Sequence, residues 1–145
     1  MTEYDDVRDE MLYDCEKENV MAIDVDCQGL AALSIVGARL AKEFPITYSK
    51  YVAACIEGNK LGEVKFFEER GHRIALLFTT LNRIGVNKDT DDCIRQATEF
   101  CIETLEEEAS QHKFSSGILN RHTNTWGDVV AYLGKTKLNW TIHRN

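Results

Sequence analysis

The stretch from Val20 to Pro45 constrains the fold more than any other part of this 145-residue chain. It opens with VMAIDV, a run rich in β-branched and apolar residues that predicts a buried strand. A loop containing Gly29 follows. Apolar residues at helical spacing from Leu30 onward then predict a helix that stops before Pro45, since the residue ahead of a proline avoids the helical region. This order places a loop and a helix start at the carboxyl edge of a sheet, where open α/β sheets usually bind ligands.

Strands and helices alternate along most of the remaining chain, which predicts one three-layer α/β domain over residues 1–145. Residues 1–10 are expected to be mobile or weakly ordered. The predicted strands are Met11–Asp14, Val20–Val25, Glu63–Glu68, the central Arg73–Thr80, Phe114–Leu119 and Leu138–His143. The predicted helices are Leu30–Phe44, Ile46–Glu57 with Gly58 as its C-cap, Thr90–Gln111 with Thr90 as its N-cap, and Asp128–Leu133 ended by Gly134.

Composition excludes several classes of function. A net charge of −7 disfavours general nucleic-acid binding, because phosphate contacts need clustered Lys and Arg. No apolar run approaches the ~18 residues needed to cross a bilayer, and the acidic start MTEYDD is unlike a secretory signal. Five cysteines without a Cys-x-x-Cys pair suggest neither a disulfide framework nor a zinc site. We therefore expect a cytoplasmic protein whose cysteines are mostly core residues.

Two carboxylates, Asp24 and Asp26, lie at the end of the first buried strand. Strict alternation along the strand places both on the same face. Such a pair could coordinate Mg²⁺, or could divide into a nucleophile and a general acid. The alternative is that Asp24 is hydrogen-bonded locally and Asp26 only begins the loop.

Glycines near a strand-to-helix turn allow backbone N–H groups to approach a phosphate, which makes Gly29 and Gly37 candidate ligand-binding residues. Gly37 lies inside the predicted helix, where glycine costs up to ~1 kcal/mol relative to alanine. Either Gly37 packs closely against a neighbour, or the helix begins near it and residues 29–36 form a loop.

A second polar loop, NRHTNTWG, covers residues 120–127. Its many hydrogen-bond donors could bind a phosphate or a ribose. The alternative is that the loop is solvated and binds no ligand. Trp126 is interpreted as a packing anchor. Thr79, at the end of the central strand, points toward the same edge of the sheet. The candidate ligand-binding residues here are Thr79, Asn120, Arg121, His122 and Asn124.

The ordered features from the first strand to Trp126 and Val129 resemble a macrodomain, the fold that binds ADP-ribose. The likeness is greatest to the ADP-ribose 1″-phosphate phosphatases and DNA ADP-ribosyl glycohydrolases. The matching features are Gly29, Gly37, Ala41, Phe44-Pro45, Tyr48, Tyr51, Cys55, Gly58, Leu61-Gly62, Phe78-Thr79, Trp126 and Val129. This resemblance implies a three-layer α/β/α fold with a mixed central sheet that binds ADP-ribose or a related nucleotide without a cofactor or metal.

The resemblance also implies roles for individual residues. Asp26 replaces the family's Asn and would hold or orient the distal ribose or a water, so it is the candidate catalytic residue. Asp14 matches an adenine-binding Asp. The loops Gly29–Gly37 and Asn120–Asn124 would surround the phosphates. Both loops lack most of the family's glycines, so hydrolysis of an ADP-ribose derivative remains an open alternative to binding alone.

Two further alternatives remain. MAIDVDCQGL resembles the Asp-x-Asp opening of haloacid-dehalogenase-type phosphatases, which implies a Mg²⁺ site at Asp24, Asp26, Thr79 and Asp128. The second is a non-enzymatic interaction or inhibitor protein that uses a macrodomain scaffold to bind a protein partner. A crevice filled by Leu33, Ile35 or Trp126 would favour that alternative.

Overall fold

The computed structural model describes residues 2–5 and 18–143. The predicted strand Met11–Asp14 lies outside the described residues. The strands are β1 (Thr2–Asp5), β2 (Val20–Asp26), β3 (Val64–Glu69), β4 (His72–Thr80), β5 (Lys113–Ser116) and β6 (Asn139–His143). The helices are α1 (Ile35–Glu43), α2 (Pro45–Glu57), α3 (Asp91–Ala109) and α4 (Trp126–Lys135), and a 3₁₀ turn covers Ala31–Leu33.

The described strands form one six-stranded sheet in the order β1-β6-β5-β2-β4-β3. Every neighbouring pair is parallel except β3 with β4, which is antiparallel. The expected mixed central sheet is therefore confirmed. β4 has a strand on each side and is continuously buried from Ile74 to Thr80. This agrees with its uninterrupted apolar sequence, which is typical of a strand covered on both faces.

Helices cover both faces of the sheet and give the expected three layers. On one face, Leu40 of α1 and Tyr51 of α2 pack against Met21, Ile23 and Val25 of β2. The opposite face of the sheet packs against α3 and α4, through the buried residues Cys101, Ile102, Leu105, Val129 and Leu133. No described helix has both the length and the apolar character needed to cross a membrane.

The structure corrects several element boundaries. Residues 2–5, expected to be weakly ordered, form β1 and pair in parallel with β6. That contact joins the two ends of the chain, so local sequence could not reveal it. β5 ends at Ser116 rather than Leu119. α4 begins at Trp126 and continues through Gly134 to Lys135.

α1 begins at Ile35, five residues later than predicted, because Gly37 and Ser34 fix its first turn. The Ser34 hydroxyl accepts the Gly37 N–H at 2.9 Å, as an N-cap does. A Cβ atom on Gly37 would lie 1.8 Å from the carbonyl oxygen of Ala31. The structure thus combines the two interpretations of Gly37: the helix begins near it, and its backbone packs closely against the preceding turn.

α2 receives its N-terminal cap from another element. Phe44 occupies the N-cap position and offers no side-chain hydrogen bond. Instead, the carboxylate of Glu69 on β3 accepts the N–H of Thr47 at 2.7 Å, its hydroxyl at 2.9 Å, and the N–H of Ile46 at 3.4 Å. These bonds lower the pKa of Glu69, although its burial alone would raise it.

Candidate functional site

The carboxyl ends of β2, β4 and β5 lie side by side at one edge of the sheet, and the space between the loops that follow them is here called the crevice. The chain leaves β2 toward α1 on one face of the sheet, whereas it leaves β5 toward α4 on the other. Since β2 and β5 are neighbours, these diverging loops form a topological switch point. Open α/β sheets bind ligands outside the carboxyl ends of the strands at such a point.

Asp26 is at the centre of this edge and is 0% exposed. Its Oδ1 accepts the N–H groups of Gln28 and Leu30, both at 2.9 Å, and the Tyr51 hydroxyl at 2.7 Å. Its Oδ2 accepts Nε–H of Arg83 at 2.7 Å. Burial alone would raise the pKa of Asp26, but these four donors together lower it. The carboxylate is therefore ionised at neutral pH and already has a donor on each oxygen.

The loop after Asp26 satisfies almost all of its own backbone donors. Among residues 27–34, the N–H groups with protein acceptors are those of Cys27, Gln28, Leu30, Ala31, Ala32, Leu33 and Ser34. Tyr51 accepts the Ala31 N–H at 3.2 Å, and Tyr48 accepts the Ala32 N–H at 3.1 Å. Only Gly29, at φ +76°, has no recorded acceptor for its N–H. This loop is not the open cradle of amides that a glycine-rich phosphate loop provides.

The loop between β4 and α3 closes against the first loop through Arg83. Its backbone N–H donates to Oε1 of Gln28 at 2.7 Å, while its side chain pairs with Asp26. Asp89 shapes the same loop, because its carboxylate accepts the N–H groups of Leu81 and Asn82 at 2.7 and 3.0 Å. The Asp26–Arg83 ion pair therefore joins the loops that follow two adjacent strands.

Asp24 and Asp26 do not lie on one face, contrary to the sequence prediction. The pairing of β2 with β4 shifts register between Val25 and Asp26, so Asp26 pairs with Thr80. Asp26 consequently bonds to Tyr51 of α2, whereas Asp24 accepts the N–H of Asn120, in the loop after β5, at 3.2 Å. Strict alternation fails here because the β2–β4 pairing is irregular at this point and leaves Thr79 of β4 out of the register.

Asn120 and Thr79 form the buried floor of the crevice. The Thr79 hydroxyl donates to Oδ1 of Asn120 at 3.1 Å, and the Asn120 amide donates to Oγ1 of Thr98 on α3. Asn120 has φ +54°, a left-handed conformation that Asn tolerates better than most residues. These contacts bring two predicted binding residues together, with both side chains engaged inside the protein.

Asp24 and His122 interact electrostatically above this floor. Burial raises the pKa of Asp24, although the Asn120 N–H and the charge of His122 oppose the shift. Partial burial lowers the pKa of His122, and the charge of Asp24 opposes that shift. The positive charges of Arg83 and Lys88 lower the pKa of His122 further. Paired perturbations of this kind are typical of functional sites, although structural networks produce them too.

The other predicted residues have less defined surroundings. Arg121 and His122 are exposed. Asn124 is also exposed, and its N–H lies 3.4 Å from a carboxylate oxygen of Asp91 on α3. Asp14 lies outside the described residues. Within the described ranges, no group of three or more His, Cys, Asp or Glu side chains is arranged to hold a metal ion.

The side chains proposed to fill the crevice in a pure interaction protein do not do so. Leu33 and Ile35 are 66% and 76% exposed. Trp126 packs against the core beneath α3 and α4, as expected for a packing anchor.

Sequence reasoning missed Arg83 and the hydroxyl groups of Tyr48 and Tyr51. The sequence identifies Tyr48 and Tyr51 only as features of the family resemblance, yet both hydroxyls bond to the loop after β2. A signal for Arg83 was available. A buried carboxylate needs a cationic partner, and Arg83 follows the end of the strand that was predicted to be central.

The sequence matches no protein-family profile, and a search of curated proteins finds no significant match. Solved structures do match. The macrodomain of DarG from Thermus aquaticus has a TM-score of 0.75 at 14% identity, over 100% of this chain and 99% of that one. The DarG macrodomain of Mycobacterium tuberculosis has the same TM-score and identity, over 100% and 98%.

DarTG of Thermosipho africanus, solved in complex with ADP-ribose, matches with a TM-score of 0.67 at 14% identity. That alignment covers 93% of this chain and 39% of that one. The layers, the sheet and the full-length similarity to the two DarG macrodomains lead to one conclusion: this chain has the macrodomain fold.

Proposed function

We propose that the protein binds ADP-ribose or a related nucleotide in the crevice at the carboxyl ends of β2, β4 and β5. The observation that carries this proposal is that two loops, 26–37 and 117–125, leave neighbouring strands toward opposite faces at the switch point of a macrodomain fold. Asp24 of β2 and Asn120 of the second loop are joined there by a 3.2 Å hydrogen bond. The neighbour DarTG, which was solved with ADP-ribose, supports the choice of ligand.

Hydrolysis of an ADP-ribose derivative would need a general acid and a general base. The crevice contains candidate groups for both roles. Asp26 is poorly suited to activate a water, because each of its oxygens already accepts short hydrogen bonds. The pKa of Asp24 is raised and the pKa of His122 is lowered, and the described residues make fewer hydrogen bonds to these two side chains than to Asp26. A general acid and base pair would therefore involve Asp24 and His122 rather than Asp26.

Calorimetric titration with ADP-ribose up to millimolar concentration tests the binding directly. We expect saturable binding with one ligand per chain. NMR shift mapping then tests the location, and the perturbed amides should belong to residues 26–37 and 117–125. A cavity of about 490 Å³ at the opposite edge, lined by residues including Arg73 and His112, supplies an internal comparison. The absence of binding, or shifts confined to that cavity, would contradict the proposal.

Asp24→Asn separates this proposal from the phosphatase alternative. A phosphatase that uses Asp24 as its nucleophile would hydrolyse a generic phosphate ester with Mg²⁺ and would lose that activity in the variant. We expect no Mg²⁺-dependent turnover from either protein. ADP-ribose binding should persist in Asp24→Asn, because an amide oxygen can still accept the Asn120 N–H.

A further inference from the structure

We propose that Arg83 recognises a phosphate group of the bound nucleotide, in place of the backbone amides of the loop after β2. This inference rests on the proposed function, since it assigns the phosphate subsite of the same crevice. It also gives the Asp26–Arg83 ion pair a role in binding as well as in stability.

The first step is the shortage of backbone donors. Seven of the eight N–H groups of residues 27–34 have acceptors within the protein. A phosphate needs several donors, and one remaining amide at Gly29 cannot supply them. Residues 27–34 therefore contribute little to phosphate recognition through their backbone, and a phosphate bound against them needs an added side-chain donor.

The second step is the geometry of Arg83. Its guanidinium is bound through Nε to Asp26 at 2.7 Å, and its backbone N–H is bound to Gln28 at 2.7 Å. The described residues provide no recorded partner for either Nη nitrogen, and the side chain is 14% exposed. Four N–H donors thus remain on a group that is already held in place at the mouth of the crevice. Planar guanidinium donors match phosphate oxygens well.

The third step is the charge around the guanidinium. Asp26 orients Arg83, but it also cancels one positive charge. Besides partial burial, the positive charges of Arg83 and Lys88 lower the pKa of His122, whereas the charges of Asp24 and Asp91 raise it. Lys88 of the same loop supplies a second positive charge, while the carboxylates of Asp26 and Asp89 already accept hydrogen bonds from protein donors.

The test measures ADP-ribose and inorganic pyrophosphate binding to wild type, Arg83→Gln and Arg83→Lys. We expect Arg83→Gln to weaken both ligands at least tenfold, since charge-assisted hydrogen bonds are lost. Arg83→Lys should also weaken the binding of both ligands, because a lysine ammonium has no planar array of donors that can bond Asp26 and phosphate oxygens at once. The matched control is Arg70→Gln, which removes a half-exposed arginine at the β3–β4 turn and should leave affinity unchanged.

Arg83→Gln leaves the buried Asp26 without its cation and so could unfold the protein. The double variant Arg83→Gln with Asp26→Asn removes both charges, and thermal unfolding checks its integrity. If the folded double variant binds ADP-ribose as wild type does, or if Arg83→Gln retains full affinity, the inference is overturned while the proposed function stands. If wild type does not bind ADP-ribose, the proposed function fails. Pyrophosphate binding that is lost in Arg83→Gln would then still support the inference. A wild-type protein that does not bind pyrophosphate would overturn it.

Discussion

At the scale of the residue, Asp26 shows what sequence reasoning can locate and what it cannot. Its position at the end of a buried strand correctly predicts a carboxylate at the carboxyl edge of the sheet. Its partners are not readable from the pattern, because Tyr51 and Arg83 lie 25 and 57 positions further along the chain. A side chain expected to face a ligand instead holds three segments of the protein together.

Tyr51→Phe tests how much this network stabilises the fold. The Tyr51 hydroxyl donates to Asp26 and accepts the buried Ala31 N–H, so its removal leaves two buried groups each short of a partner. We expect the free energy of unfolding in urea to fall by about 1–3 kcal/mol. Tyr48→Phe is the matched control, since that hydroxyl bonds Ala32 in an exposed setting and should cost less than about 1 kcal/mol. Equal losses in the two variants would contradict the assigned network.

At the scale of the element, α1 shows why a helical apolar pattern can begin before the helix does. Leu30, Leu33 and Val36 fit the period, but the 3₁₀ turn and the Ser34 N-cap delay the helix to Ile35. The apolar pattern reports which side chains face the core, and does not locate a cap. Gly37 and the N-cap residue Ser34 are the sequence signals of this late start.

Gly37→Ala should destabilise the protein strongly. The added Cβ would lie 1.8 Å from the Ala31 carbonyl oxygen, so the turn or the helix must shift. We expect a loss of about 2 kcal/mol or more in the free energy of unfolding, as for other overpacked sites. Gly134→Ala, inside α4, has open space around its Cβ and should instead stabilise by up to about 1 kcal/mol. Similar values for the two substitutions would show that Gly37 does not pack as described.

At the scale of the whole molecule, the sequence predicted the layers better than the chain ends. The alternation of strands and helices, the apolar β4 and the Phe44-Pro45 stop were sufficient for the architecture. β1 was missed because four residues with no distinctive pattern are held by parallel pairing with β6, at the far end of the chain. Local sequence carries little information about such distant pairing.

The stability of the molecule should depend on pH through Glu69, which links the sheet to α2. The pKa of Glu69 is lowered in the folded state, so its contribution is fully present above the unfolded pKa and is lost as pH falls through the folded pKa. Glu69→Gln should therefore reduce unfolding free energy at pH 7, and the difference from wild type should shrink in acid. Glu68→Gln, the exposed neighbour on β3, should change little at either pH. Urea unfolding at pH 7 and pH 3 measures both, and a pH-independent difference for Glu69→Gln would contradict the cap.

The loop of residues 27–34 has almost all of its backbone donors bonded within the protein, and this has a consequence for the thermodynamics of binding. Intramolecular bonds to Asp26, Tyr48 and Tyr51 already fix its conformation, so a ligand would not have to order it. The entropic cost of association then falls mainly on the ligand and on a few side chains at the mouth. The loop is thus preorganised. The affinity for a ligand should depend on how well the donors of the protein match the acceptors of the ligand, and not on the ordering of residues 27–34.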